Sequence, residues 1–460
     1  MTLITSISGI RGTIGGSPKK NLTPVDVVRY TAAYGQWLLK HNAAKCKVVT
    51  GRDARLSGTM VHQIVNQTLV GLGIDVVNLG LSTTPTVAMA VEWENATGGI
   101  IITASHNPKE WNALKLLNHK GEFIDAKAGA EVLKLAKEEN FPFESVENLG
   151  KISSDTSSLQ QHIKACLDLP LIKVEEIKKK NFKIVVDAVN SSGGVAVPLL
   201  LEALGATTIP LHCEPTGNFS HNPEPLKEHL EDLAKAVVSH QADFGIAVDP
   251  DVDRLVFMDE NGILFGEEYT LVACADYVLQ KAHGPTVSNL SSTRALAEIS
   301  KRHNQSHYAS AVGEVNVVAL MKAKAAVIGG EGNGGVIYPD LHYGRDALVG
   351  IALFLSLLVE KECSVATLKN QYPKFFMQKS KVTLSEQINI EVLLKKLESE
   401  YKNEKTSTVD GLKIDFDDSW VHLRKSNTEP IVRVYTEAQT HENAVALAEK
   451  FVSELKKLAQ

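Results

Sequence analysis

Apolar runs that stop abruptly in polar, glycine- or aspartate-rich turns set the rhythm of this chain. The β-branched run Ile100 to Thr103 reads as a buried strand that breaks at Ala104-Ser105-His106-Asn107-Pro108. The same shape recurs at Lys47–Thr50 into Gly51-Arg52-Asp53-Ala54-Arg55, and at Phe182–Asp187 into Asn190-Ser191-Ser192-Gly193-Gly194. It returns at Asp243–Val248 into Asp249-Pro250-Asp251-Val252-Asp253-Arg254, and at Ala325–Ile328 into Gly329 to Gly335. The strand ends at Asp53, Asp187 and Asp249 make a weak internal repeat, which suggests related units in tandem. Helical patterning fills the intervals: Thr23–Leu39 with Thr23-Pro24 as cap and first turn, then helices ending near Leu72, Leu204 and Ser239, and Asp346–Glu360. Further strands are predicted at 74–79 and 286–290, and the apolar run 88–103 continues the alternation. Alternating strands and helices predict α/β architecture, with ligands at the carboxyl ends of the strands. After Pro108 the positions Trp111, Leu114 and Leu117 fit a helix, but also a bent loop and strand. From about residue 376 the pattern changes to strand 379–384, helix 390–403, strands near 411–416, 419–424 and 431–437, and helix 441–457, an antiparallel α+β layer.

A chain of 460 residues is too long for one core, so three or four domains of about 100 to 150 residues are expected. The pattern divides it at 1–153, 154–258, 259–372 and 373–460, the first boundary falling in the charged, weakly patterned stretch 134–158. A formal charge of −6 with no block of like charge argues against nucleic acid or an anionic membrane as partner. No segment approaches ~18 consecutive apolar residues and the N-terminus lacks a basic head followed by an apolar run, so a cytoplasmic protein is expected. The five cysteines are scattered and in no CxxC pair, which predicts free thiols rather than disulfides or a cysteine zinc site.

The loops carry the chemistry. Ser105 stands at a strand's end beside His106, placed for backbone N–H groups to face an anion, and reads as a serine that carries a phosphoryl group. Alone, such a turn is as readily a connector; the other loops change the balance. Asp249, Asp251 and Asp253 would repel one another without a cation, and hard oxygen ligands favour Mg²⁺ or Ca²⁺. An EF-hand is rejected because Arg254 stands where its loop needs glycine and the flanks are strands. Since Mg²⁺ keeps a place for a substrate phosphate, a phosphate on Ser105 could complete its shell. Gly330-Glu331-Gly332-Asn333-Gly334-Gly335 lacks the lysine of a P-loop and reads as a polyol clamp, Glu331 accepting and Asn333 donating hydrogen bonds. Arg424 to Pro430, with Arg433, assembles hydroxyls, amides and guanidinium as a phosphate site, and Arg11 between Gly9 and Gly12 also suits phosphate.

Taken in series these motifs resemble the α-D-phosphohexomutase superfamily of phosphoglucomutases, phosphomannomutases and phosphoglucosamine mutases, closest to the last. The resemblance covers the whole chain, through Thr103-Ala104-Ser105-His106-Asn107-Pro108, the Asp249–Arg254 loop, the Gly-Glu loop at 330–335 and Arg424–Pro430. It implies three tandem mixed α/β domains with central sheets plus a C-terminal α+β domain, around one central cleft. It implies a phosphoserine at Ser105, Mg²⁺ held by Asp249, Asp251 and Asp253 with that phosphate, and sugar contacts from Glu331 and Asn333. Arg424, Ser426, Asn427, Thr428 and Arg433 would bind the non-reacting phosphate. Arg11, His106, Lys115 and Arg254 match positions near the transferred group, Lys115 as general acid/base. The implied reaction moves a phosphoryl group between the 6- and 1-positions of a hexose phosphate, glucosamine phosphate first. A hexose 1,6-bisphosphate would be intermediate and activator, and the protein a monomer or homodimer. Asn333 and Gly335 replace the serine and histidine usual in the sugar loop, and Ala113 a glycine before the lysine, so glucose or mannose phosphate stays open as the substrate.

Overall fold

The computed structural model describes residues 2–6, 9–42, 45–383, 388–425 and 431–459, which form four sheets in chain order. The first is built from β1 (Ile4–Ser6), β2 (Gly9–Thr13), β3 (Lys47–Arg52), β4 (Asp75–Leu81), β5 (Gly98–Ile102), β6 (Trp111–Leu117) and β7 (Ile152–Ser154), in the order β1-β2-β6-β5-β3-β4-β7. The parallel partners β3 and β5 lie side by side with Arg52 opposite Ile102, so the Asp53 and Ser105 loops start as neighbours. Apolar clusters cover both faces, Val48, Ile100 and Ile102 on one, Val49 and Ile101 on the other, as period-two side chains require.

The second sheet holds β8 (Lys183–Asp187), β9 (Thr207–Leu211), β10 (Phe244–Val248) and β11 (Leu255–Met258) in the order β11-β10-β8-β9. The third holds β12 (Thr286–Asn289), β13 (His307–Ser310), β14 (Ile328–Glu331) and β15 (Gly335–Ile337) in the order β13-β12-β14-β15. These two sheets share one apolar core that runs without a break from Ile163 to Tyr372, with Phe257 stacked on Phe354 at 3.7 Å between ring centroids. The helix Ala347–Lys361 passes through that core with every residue from Ala347 to Leu358 buried, which is why its sequence is apolar on all sides. The fourth sheet is antiparallel throughout, β16 (Phe376–Thr383), β17 (Lys405–Ser407), β18 (Leu412–Asp415), β19 (Trp420–Lys425) and β20 (Ile431–Ala438), ordered β16-β20-β19-β18-β17.

Local readings gave way where pairing outweighed pattern. The segment after Pro108 is strand: β6 pairs antiparallel with both β5 and β2, and Ala113, Leu114, Leu116 and Leu117 are all buried. The apolar run 88–103 is two elements, the helix Thr84–Trp93 capped by Thr83 and then β5, separated by a turn through Asn95 at φ 47°. The stretch 134–158 is not unpatterned throughout: the helix Ala126–Glu138 enters it, and β7 extends the first sheet at its edge. β17, three polar-flanked residues at an edge, has no apolar alternation to announce it. Among the described residues no helix is long and apolar enough to cross a membrane, and none of the five cysteines is joined in a disulfide.

Candidate active site

The Ser105 loop is held by an arginine that sequence reasoning passed over. Arg55, 1% exposed, donates from Nη1 to the carbonyls of Pro108 at 2.7 Å and Trp111 at 3.0 Å, and from Nη2 to those of Asn107 at 2.6 Å and Ser105. Its Nε bonds Asp53 Oδ2 at 3.0 Å, and the same oxygen accepts from Thr103 Oγ at 2.6 Å. Thr103 Oγ in turn accepts the Ser105 N–H at 2.9 Å. That N–H is therefore spent on a side chain and is not free to face an anion. Ser105 is held at φ 48°, a left-handed conformation that costs a non-glycine residue about 1 kcal/mol or more and persists only where surroundings impose it.

So constrained, the Ser105 hydroxyl crosses to the second sheet and donates to Asp249 Oδ2 at 2.6 Å. The aspartate loop is shaped from within: Asp249 Oδ1 accepts the N–H groups of Asp253 and Arg254, each at 3.1 Å. Asp249, Asp251 and Asp253 are buried with a carboxylate oxygen of each within 4.8 Å of the others. Lys115, from β6, reaches Asp251 at 2.7 Å and Asp253 at 3.2 Å. Thr84 adds a hydroxyl on Asp251 Oδ2 at 2.5 Å. Oδ1 of Asp251 and Oδ1 of Asp253 have no hydrogen-bond partner although buried. An orphaned buried carboxylate oxygen is costly. Two of them beside Asp249 Oδ2 fit a hard divalent cation with oxygen ligands. The electrostatics agree: burial and the neighbouring Asp251 and Asp253 charges push Asp249 well above the usual carboxylate range. Burial acts the same way on Asp253, but Arg345, Lys115 and Arg254 overcome it and hold that group well below. For Lys115 burial works against the charge, and Asp251 and Asp253 more than restore it.

Arg345 is the second residue that sequence reasoning missed. It stands just before Asp346, the cap of the helix Ala347–Lys361, and joins three carboxylates: Asp253 at 2.7 Å, Glu331 at 2.9 Å and Glu314 at 2.9 Å. It thereby ties the aspartate loop to the glycine-rich hairpin between β14 and β15. Glu331, 5% exposed, also accepts from Asn289 Nδ2 at 2.9 Å and the Gly313 N–H at 3.1 Å, so it is more heavily bonded than an open sugar clamp requires. Asn333, half-buried, places Oδ1 3.5 Å from Arg345 Nη1. A side chain at Gly332 would strike Glu268, which accounts for a glycine there.

The remaining expected residues frame the opening. Arg254 pairs with Glu224 at 3.1 Å, and His106 Nε2 lies 4.0 Å from the same carboxylate. Burial, reinforced by Arg254, drives His106 well below its ordinary value, and its Nδ1 is buried without a partner. The buried Nε of Arg11 is likewise unpartnered, and burial followed by the charge of Arg433 lowers its guanidinium, so a cation of the fourth sheet stands within electrostatic reach of the first. Arg424 approaches Asp410 at 3.4 Å. Ser426, Asn427 and Thr428 lie outside the described residues.

Comparison with known proteins fits this arrangement. Four family profiles, all described as phosphoglucomutase/phosphomannomutase, match in order: α/β/α domain I at residues 3–143, domain II at 157–262, domain III at 266–375 and the C-terminal domain at 380–454. A phosphoglucomutase/phosphomannomutase of Thermococcus kodakarensis is 34% identical over 94% of this chain and 95% of its own length. A phosphoglucosamine/phosphogalactosamine mutase of Sulfurisphaera tokodaii is 33% identical over 98% of both chains. Among solved structures, a phosphoglucomutase/phosphomannomutase family protein from Burkholderia thailandensis superposes with a TM-score of 0.85 at 25% identity, covering 99% of this chain and 98% of that one.

Proposed function

This chain belongs to the phosphoglucomutase/phosphomannomutase family and is a phosphohexomutase, and we propose that it works through Ser105 as a phosphoryl carrier. The observation that supports the assignment is the 2.6 Å contact of Ser105 Oγ with Asp249, made from a left-handed backbone and beside two orphaned carboxylate oxygens. Asp249, Asp251 and Asp253 are the residues that would hold Mg²⁺ with an oxygen of the Ser105 phosphate. When bound, the ion neutralises charge on the transferring phosphoryl group.

The protein's own groups do the rest. Ser105 gives its phosphoryl group to one hydroxyl of a hexose phosphate, and the bisphosphorylated sugar turns end for end. The other phosphate then returns to Ser105, so phosphoryl groups balance over the cycle. Lys115, its Nζ 2.7 Å from Asp251, is the assigned proton carrier for the sugar oxygen, while Arg254, Arg11 and His106 face the moving phosphate. Arg433 and Arg424, with Ser426, Asn427 and Thr428, grip the phosphate that does not react. The repulsion between Arg11 and Arg433 supports this, since a bound anion would relieve it. Glu331 and Asn333 mark the sugar-facing hairpin, with Arg345 fixing Glu331 in place. Closure of the four units over the substrate would exclude the water that hydrolyses a phosphoserine.

Glucosamine 6-phosphate is the proposed substrate, consistent with the Sulfurisphaera relative, with glucose and mannose phosphates as the alternative suggested by the Thermococcus one. Turnover of the three 6-phosphates by purified protein with Mg²⁺ decides it. The expected result is a kcat/KM at least about 10-fold higher for the amino sugar, a difference of about 1.4 kcal/mol in transition-state binding. A preference for glucose or mannose phosphate overturns the substrate but not the mutase.

A further inference from the structure

A second convergence of ligand-type side chains stands at the carboxyl end of β8, and phosphoryl transfer makes no use of it. Asp187 closes β8 at 1% exposure, and its Oδ1 accepts the Val189 N–H at 3.0 Å. The parallel register sets Asp187 opposite Leu211, the last residue of β9, so His212 follows directly beside it, at φ 49°. His221 arrives from the loop beyond. His212 Nδ1 is 3.3 Å from Asp187 Oδ2, and His221 Nε2 is 3.1 Å from Oδ2 and 3.2 Å from Oδ1. One ligand atom from each of the three residues lies within 4.8 Å of the other two.

The proton on His221 can be placed. Its Nδ1 is 2.8 Å from the carbonyl oxygen of Asn222, which can only accept, so Nδ1 carries the hydrogen. A ring protonated only there aims the Nε2 lone pair at a carboxylate, and the two repel unless a second proton on Nε2, which the Asp187 charge favours, or a metal cation lies between. Anchoring Nδ1–H on a backbone carbonyl is the outer-shell arrangement that fixes metal-ligating histidines. Distances point the same way. Bonds of about 2.0–2.1 Å in a tetrahedral zinc site put neighbouring ligand atoms roughly 3.3–3.4 Å apart. Charge-assisted hydrogen bonds are shorter, at about 2.7–2.9 Å. His162 on Asp346 at 2.8 Å and His303 on Asp276 at 2.7 Å are of that kind, with His342 a second, longer contact on Asp346 at 3.2 Å. The contacts on Asp187, at 3.1 to 3.3 Å, are longer than the 2.7 and 2.8 Å pairs, and the His212 one reaches the ligand spacing.

The geometry points to a second metal site, formed by Asp187, His212 and His221, for a borderline divalent cation of the Zn²⁺ class. Nitrogen donors set it apart from the all-oxygen aspartate loop, which favours Mg²⁺. His212 and His221 are 21% and 17% exposed at their side chains, so solvent reaches the fourth coordination position. The site staples a strap to the second sheet. Downstream of His212 the strap carries Phe219, whose ring centroid lies 5.0 Å from the Arg55 guanidinium carbon, and Glu224, which pairs with Arg254. A bound cation thus orders the loop that touches both the serine rack and the phosphate-facing arginine.

Isothermal titration of the full chain with Zn²⁺ in excess Mg²⁺, with metal content checked by mass spectrometry, tests the site. One equivalent of Zn²⁺ bound with a Kd of micromolar or below is expected, weakened at least about 100-fold in His212→Ala and His221→Ala. No Zn²⁺ uptake by the wild type, or uptake undiminished in both variants, reduces the cluster to an ion pair and overturns the proposal. Should the variants fail to fold, crystals of the wild type grown with both metals decide. Zinc-edge anomalous scattering between Asp187, His212 and His221 supports the site, and its absence there contradicts it.

Discussion

The hydroxyl of Ser105 reaches the aspartates because Arg55 fixes the carbonyls around it. Four carbonyl bonds and the Asp53 pair leave Arg55 with no freedom, and Lys cannot reproduce the planar fork. Arg55→Lys keeps the charge beside Asp53 but frees the loop. Its kcat is expected to fall about 100-fold, the scale of a displacement of about 1 Å at a reacting group, with KM changing far less. Arg55→Met leaves Asp53 buried without its cation and is expected to lose about 3–5 kcal/mol in urea denaturation. A lysine variant with wild-type kcat would remove Arg55 from the account. Arg55 was visible as one of two arginines in Gly51-Arg52-Asp53-Ala54-Arg55, but nothing in that spelling separates the 1% exposed guanidinium from its neighbour, which is only half-buried. Burial by a loop fifty residues away makes the difference.

At the scale of elements, the strand-to-loop transitions were the legible part. Ser105, the three aspartates and Glu331 each follow or end a buried strand, where a continuous buried run stops in a polar turn readable in sequence. Illegible was what depends on a partner element: β6, whose spacing allows a helix until β2 and β5 pair with it, and Arg345, a lone cation before a helix that finds three carboxylates only in the folded chain. The hairpin joining β14 to β15 shows how tightly such an element is set. A Cβ at Gly332 would stand 1.9 Å from Glu268 Oε2, and that oxygen accepts the Thr293 N–H at 2.8 Å. Gly332→Ala is therefore expected to cost about 1–3 kcal/mol in urea denaturation and to raise KM for the sugar phosphate. Unchanged stability would show that Glu268 moves aside at no cost.

The whole molecule couples its four units through buried polar contacts. Ser291 meets His422 at 2.8 Å and the Arg294 N–H meets Glu437 at 3.0 Å, which joins the third sheet to the fourth. Burial depresses His62 to about 4, His307 to about 3 and His422 to about 4, from an ordinary 6.5. The unfolded chain therefore binds protons first as pH falls, and stability is lost from about pH 6.5 down to about 4 for His62 and His422 and about 3 for His307. The slope is up to about 1.4 kcal/mol per pH unit for each histidine. Denaturant midpoints should fall steadily over that window and His307→Gln should flatten the slope; a level profile would contradict the assigned neutral histidines. The central claim, that one serine hydroxyl lends a phosphate against the aspartate loop, is tested most directly by phosphopeptide mapping. The protein is incubated with ³²P-labelled hexose 1,6-bisphosphate and Mg²⁺ and then challenged with unlabelled hexose 6-phosphate. The account predicts a single label on Ser105 that leaves on the challenge and never forms in Ser105→Ala. Label on another residue, or mutase turnover surviving in Ser105→Ala, would contradict it.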